Sequence, residues 1–208
     1  MSPDYERLYR GVSHAAWAYF FLYFNINLNT LNILPDFVCY LLLWSAIGRL
    51  EGEERDLTLL RPLCVLLGVW AGADWAFALL GGTLGGRFPP VDLLVSAVAI
   101  YFHFQLFTDL ARLAERYQPP GAALDRRLLR LRTVQTLILT SFAVLGWCLP
   151  NGAQLTFPGS SLPEGALSVL LIGMVLVSMI VALLLMGALF TLRQCFSAPP
   201  EEGGRQIP

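Results

Sequence analysis

The residues of this chain best suited to chemistry are few, and each stands among apolar neighbours. Asp74 is the lone charge in WAGADWAF; Asn25, Asn29 and Asn32 interrupt FNINLNTLNILPD, residues 24–36; His103 lies in YFHFQLFT. Ionisable groups are costly in hydrocarbon and ordinarily face a bundle interior or a water-filled cavity. At about 100° per helical residue, Asn25, Asn29 and Asn32 share one stripe, which His14 and Ala18 extend, whereas Asn27 points the other way. Asp74 and Asn25 both fall roughly 20 Å from the arginine-bearing ends of their segments, so the amides are at the right depth to satisfy the carboxylate. A carboxylate held among apolar groups suits proton coupling.

The same residues have plainer uses. Amides and hydroxyls between membrane helices act as packing glue, and for the asparagines alone this is the simpler account. For Asp74 a functional role is the better reading, because one buried carboxylate is expensive. His103 falls on a stripe with Asp92, Ser96 and Ala99, nearer the arginine-rich end than Asp74, and divides evenly between packing and proton relay. Asp92 reads as a solvated helix start. Gln105 and Asp109 occupy a separate face, with Asp109 close enough to Arg112 to be neutralised. Pro35 and Asp36 are explained as the start of the second helix, where a missing N–H costs little and an acid suits the dipole.

These residues have to be positioned by membrane helices. Hydrophobic residues make up 56% of the 208-residue chain and charged residues 14%, against roughly 25% charged in a soluble domain. The apolar residues come in runs of span length, near the roughly 20 residues a helix needs to cross about 30 Å of hydrocarbon. Six segments are expected, at 11–32, 34–50, 59–80, 90–110, 133–150 and 166–192. The fold class is therefore an all-α polytopic transmembrane bundle, with a membrane domain over 1–194 and a disordered cytoplasmic tail over 195–208. The second segment is short, so the first two form either two crossings or a re-entrant hairpin.

Every basic residue is arginine, which points to GC-rich coding, and the general impression of the chain resembles small bacterial membrane proteins. With six crossings, thirteen arginines lie on one side and Arg87 alone on the other. The positive-inside rule then places both termini in the cytoplasm and the chain in the cytoplasmic membrane. The N-terminal apolar run lacks a small-x-small cleavage site and reads as an uncleaved first span. In the longest loop a Pro-Pro-Gly break precedes Arg126, Arg127, Arg130 and Arg132, which can bind anionic lipid headgroups; their plainer reading is a topology anchor.

Several classes are excluded or disfavoured. A net charge of −1 gives no reason to expect nucleic acid. The four cysteines form no C-x-x-C pair, and no metal or cofactor is expected; Cys195 is the one thiol placed for lipidation. Neither H-E-x-x-H nor G-x-S-x-G occurs, so an enzyme is not expected. YFNINLNT (23–30) aligns with YFHFQLFT (101–108), as a three-plus-three inverted repeat would require, but no other pair of segments matches. Two functions stay open. One is a small transporter or channel-like protein for an ion or small polar solute, centred on Asp74. The other is an accessory subunit or assembly factor whose polar stripes bind partner helices, in a membrane-protein complex or a homo-oligomer.

Overall fold

Leu8, Val12, Ala15 and Tyr19 recur at helical spacing, and they form the buried face of the first helix, α1, Tyr5–Tyr23. In the computed structural model the described residues are 4–23, 27–28, 31–32, 36–82, 84–85, 87–148, 156–157, 160–161 and 164–197. After α1 come two paired two-residue strands, β1 (Asn27–Leu28) and β2 (Leu31–Asn32). Then follow α2 (Asp36–Leu50), a 3-10 turn over Arg55–Leu59, α3 (Leu60–Leu79), α4 (Pro89–Tyr117) and α5 (Leu124–Cys148). A second small hairpin, β3 (Thr156–Phe157) with β4 (Ser160–Ser161), precedes α6 (Glu164–Gln194).

The chain is an all-α polytopic bundle. The 3-10 turn with α3, α4, α5 and residues 169–194 of α6 are each long and apolar enough to cross a membrane. By contrast, α2 has 15 residues, about 22 Å of helix, and is short of a bilayer core. Three expected boundaries are corrected. The first segment, expected over 11–32, is helical from Tyr5 and stops at Tyr23; Asn32 is paired with Asn27 across a β-ladder and so is not on a helical stripe. Asparagine favours turns because its side chain competes for backbone partners, and a run of them ends the helix. The stripe Asn25–Asn29–Asn32 is therefore not a helical stripe at Asn32, and Asn25 and Asn29 lie outside the described residues. The likeness of 23–30 to 101–108 has no structural counterpart, since Asn27–Leu28 are extended where Gln105–Leu106 are helical.

The third correction is in the longest loop. The stretch 124–132 is the beginning of α5, not a connector. Gly121 takes φ +88° in the Pro-Pro-Gly turn, a conformation open to glycine at little cost. Gln118 then caps α5, its Oε1 accepting from the Leu124 N–H at 2.7 Å and its Nε2 donating to Asp125 at 2.9 Å. Of the tail expected over 195–208, residues 198–208 lie outside the described residues.

Each helix packs on its neighbours in sequence, and α6 returns to α1, so the six close a ring in chain order. Packing is uneven along the ring's axis. Buried residues on α3 are Leu60, Cys64 and Leu67, all in its first half; on α4 they begin at Phe102, and on α6 at Val181. These positions all belong to the arginine-rich end. Toward the opposite end the helices part. Ion pairs tie the packed end together, among them Arg61–Glu51 (2.9 Å), Arg112–Asp56 (2.7 Å) and Arg116–Glu54 (2.7 Å).

At Gly11, α1 packs tightly on the end of α2. A Cβ built there would lie 2.7 Å from Leu50 Cδ2 and 2.8 Å from its Cγ, and Leu50 is fully buried and cannot swing away. Gly11→Val is therefore expected to cost about 1–3 kcal/mol. Thermal unfolding in detergent should show it as a lowered midpoint, while Gly146→Val, with open space around its Cβ, should not move the midpoint comparably.

Candidate functional site: a vestibule above an aromatic floor

Where the helices part, α1 to α4 enclose a cleft of about 350 Å³. Its walls carry Asp36 and Tyr40 from α2, Trp70, Asp74 and Trp75 from α3, and Ser96 from α4, with Leu22, Leu67, Ala71, Ala78, Val95 and Ala99 completing an apolar lining. The α3 residues recur at one helical face, one turn apart, and this single face delivers the carboxylate and both indoles. Asp74 Oδ1 accepts a hydrogen bond from the Leu84 N–H at 3.1 Å, which ties it to the turn after α3. Ser96 Oγ donates to the Asp92 carbonyl at 2.8 Å, leaving its own lone pairs for another donor. Phe37 meets Trp75 edge-on at 5.7 Å and seats the start of α2 against α3.

One helical turn deeper the ring is plugged. Tyr19 lies three residues below Leu22 on α1, and His103 four below Ala99 on α4, on opposite sides of the ring. Tyr19 Oη and His103 Nδ1 are 2.6 Å apart. Around them Tyr19 packs on Phe107 (4.8 Å between centroids) and on Tyr23 (6.1 Å), while Phe102 reaches Tyr40 (6.3 Å). Tyr23 in turn accepts from Gln135 Nε2 on α5 at 2.9 Å. Tyr19, Phe102 and Phe107 are fully buried. The vestibule therefore has a floor made of rings, with one histidine in it.

The expected site residues separate on this geometry. Asp74 lines the vestibule, while His103 belongs to the floor below it and is engaged with Tyr19. Asn25 and Asn29 lie outside the described residues; Asn32 belongs to β2, which lies against α3. The flanks of that segment, Leu22 and Asp36, both line the vestibule. Asp36 does begin α2 as expected, and it also faces the cleft, which helix-start reasoning alone does not reveal. Trp70, Trp75 and Tyr40 also line the cleft, and the spacing of Trp70 and Trp75 around Asp74 is the signal the sequence offers for them. Asp92 lies in the first turn of α4 and is not part of the lining.

Two further polar groupings have structural explanations. Glu54, Asp56 and Asp109 bring carboxylate oxygens within 4.8 Å of one another, an arrangement that resembles a cation site. Arg112 Nη1 supplies that cation, at 2.7 Å from Asp56, 3.3 Å from Asp109 and 3.6 Å from Glu54. Among the arginines of α5, Arg126, Arg127 and Arg130 are exposed at the arginine-rich end. Arg132 differs from these three: it donates to Thr108 Oγ1 at 2.7 Å and stacks over Phe104 at 4.0 Å, so it joins α5 to α4. Helix phase explains the difference, since Arg132 falls close to the buried face of α5 that Leu128 and Gln135 mark. Cys39 and Cys64 are buried and donate to the carbonyls of Asp36 (2.7 Å) and Tyr40 (3.2 Å), acting as small core residues. Burial pushes the Cys195 thiol up, which disfavours the thiolate. Against known proteins, no family model, no curated protein and no solved structure matches the chain.

Proposed function

We propose that this protein is a small transporter or channel-like protein that moves an ion or small polar solute through the centre of its helix ring. In this reading all six helices cross the cytoplasmic membrane and the arginine-rich end faces the cytoplasm. The observation that carries the proposal is the vestibule: a carboxylate-bearing cleft between α1 and α4 that stops at an aromatic floor, with the packed arginine-rich end beneath it. Alternating access requires a solute site with a barrier on one side of it, and here the site lies in the half of the ring away from the arginines. Asp74 and Asp36 would hold the solute, and the Tyr19–His103 contact would be the barrier that yields.

The test is reconstitution. Purified protein in liposomes is expected to carry a flux across a panel of cations, amines, sugars and organic acids, and Asp74→Asn should lower that flux severalfold. Absence of flux across the whole panel, or a flux indifferent to Asp74→Asn, would overturn the proposal.

A second reading rests on α6. Its half away from the arginines is exposed on most of its circumference, with Val169 at 70% and Ile172 at 61%. A helix apolar all round lies in lipid or against other helices, so an accessory subunit that docks a partner through α6 is the alternative. Gentle purification from native membranes would then return a stoichiometric partner, and a monomer alone would count against it.

A further inference from the structure

We infer that the vestibule selects an organic cation, a solute bearing an ammonium group on an apolar or aromatic body. The inference rests on the transport reading for its physiological meaning, but it is a statement about binding and is tested as one.

Charge comes first. Two carboxylates, Asp36 and Asp74, line the cavity, and no basic side chain does so among the described residues. Arg87, the one arginine near that end of the ring, instead lies over Phe77 at 5.7 Å. Asp74 is exposed, so its field is partly screened, but a lining that carries only negative charge still repels an anion and attracts a cation. The backbone bond that Asp74 accepts does not exhaust it, because an ionised carboxylate offers about four lone-pair sites.

Size and wall chemistry then separate organic from metal cations. Calcium takes six to eight oxygen ligands, and magnesium a strict octahedron. Here Asp36, Asp74, Ser96 and Tyr40 are the oxygen-bearing side chains, set in a wall of leucine, valine and alanine. That wall suits an apolar body. Trp70, Trp75 and Tyr40 are in the lining, and an aromatic face attracts a cation through its ring quadrupole. A volume of about 350 Å³ lies at the lower end of the range for small-molecule pockets, roughly 300–1,000 Å³. An ammonium fits the polar groups in kind, donating to a carboxylate and to the Ser96 hydroxyl oxygen.

The experiment compares three probes of one shape on the purified full-length chain, by equilibrium binding in detergent: phenethylammonium, phenethyl alcohol and hydrocinnamate. The ammonium is expected to bind at least about tenfold more tightly than either of the others. Asp74→Asn keeps an acceptor for the Leu84 N–H yet removes the charge, and should weaken the ammonium about tenfold while leaving the alcohol unchanged. Trp75→Leu should weaken it as well. Trp44→Leu, outside the vestibule, should not, and it controls for general damage. Equal affinity for the alcohol, preference for hydrocinnamate, or indifference to Asp74→Asn would each overturn the inference. Flux measurements keep the two proposals apart. Ammonium binding without flux of any solute supports the cation site and defeats transport. Flux of neutral or anionic solutes that excludes phenethylammonium supports transport and defeats the cation site.

Discussion

Replacing Arg112 by alanine is expected to destabilise the protein by about 3 kcal/mol, although the arginine itself is nearly half exposed. The cost arises on the acidic side. Asp109 has 0% exposure, and its Oδ1 receives Gln105 Nε2 at 2.9 Å and Arg112 at 3.3 Å, whereas its Oδ2 has no partner among the described residues. Glu54 is almost as buried and shares Arg112 with Asp56 and Asp109. Removing the guanidinium leaves carboxylates within 4.8 Å of one another, with Arg116 as a cation on Glu54 and only the neutral Gln105 amide donating to Asp109. An unpaired buried charge typically costs several kcal/mol, and the exposure of Arg112 reduces this through solvent screening.

Three comparisons make this prediction specific. Arg112→Lys should recover part of the loss, because one ammonium can neutralise the group but cannot distribute donors to three carboxylates as a fork does. Mild acid should recover part of the alanine variant's loss, since protonating one carboxylate removes the repulsion. Arg126→Ala, exposed and outside this network, should change stability by less than about 0.5 kcal/mol. Chemical or thermal unfolding in detergent is the measurement. If Arg112→Ala and Arg126→Ala unfold alike, the charge network is not what holds the 51–59 segment to α4.

How much of this was legible beforehand depends on the range of each interaction. Apolar runs gave the helices because crossing a bilayer demands length and hydropathy, both local quantities. They gave poor ends where charge entered a helix. The start of α1 carries the Glu6–Arg10 pair one turn apart, and the start of α5 carries Leu124, Leu128, Leu131 and Gln135 at helical spacing. The period was present in both cases, but a hydropathy reading discards charged turns. The asparagine segment failed in the opposite way, since its stripe was computed on a helix that ends at Tyr23.

That Asp74 stands out was legible, because a single carboxylate among apolar neighbours is anomalous in its own stretch of sequence, and the structure places it in the lining of the cleft. Its companion Asp36 was not, because an acid in a first helical turn already has a sufficient local explanation. Only the packing of α2 on α3 turns that helix start into one wall of a cavity. The partner of His103 was also hidden. Tyr19 is 84 positions away, and it lies across the ring that closes when α6 packs on α1, a contact without a local signature.

Tyr19 is also where a single truncation should have the largest effect on the ring. Tyr19→Ala is expected to cost about 3–5 kcal/mol, the usual range for deleting a fully buried aromatic. It should also deepen the vestibule and thin the packed core between it and the arginine-rich end, since this ring contacts His103 and Phe107 directly across the axis. Liposomes bearing the variant should leak small polar solutes that the parent protein retains. Tyr19→Phe separates the two contributions. It keeps the ring and removes the hydroxyl that meets His103 Nδ1 at 2.6 Å, leaving the imidazole with an unpaired nitrogen at a cost of about 1–3 kcal/mol. That variant should be less stable yet remain sealed. Phe107→Ala, which removes the facing ring and leaves the hydrogen bond, should leak in the manner of Tyr19→Ala. A sealed Tyr19→Ala of adequate stability would show that the axis is blocked elsewhere. A leaking Tyr19→Phe would show that the hydrogen bond, and not the rings, keeps the floor closed.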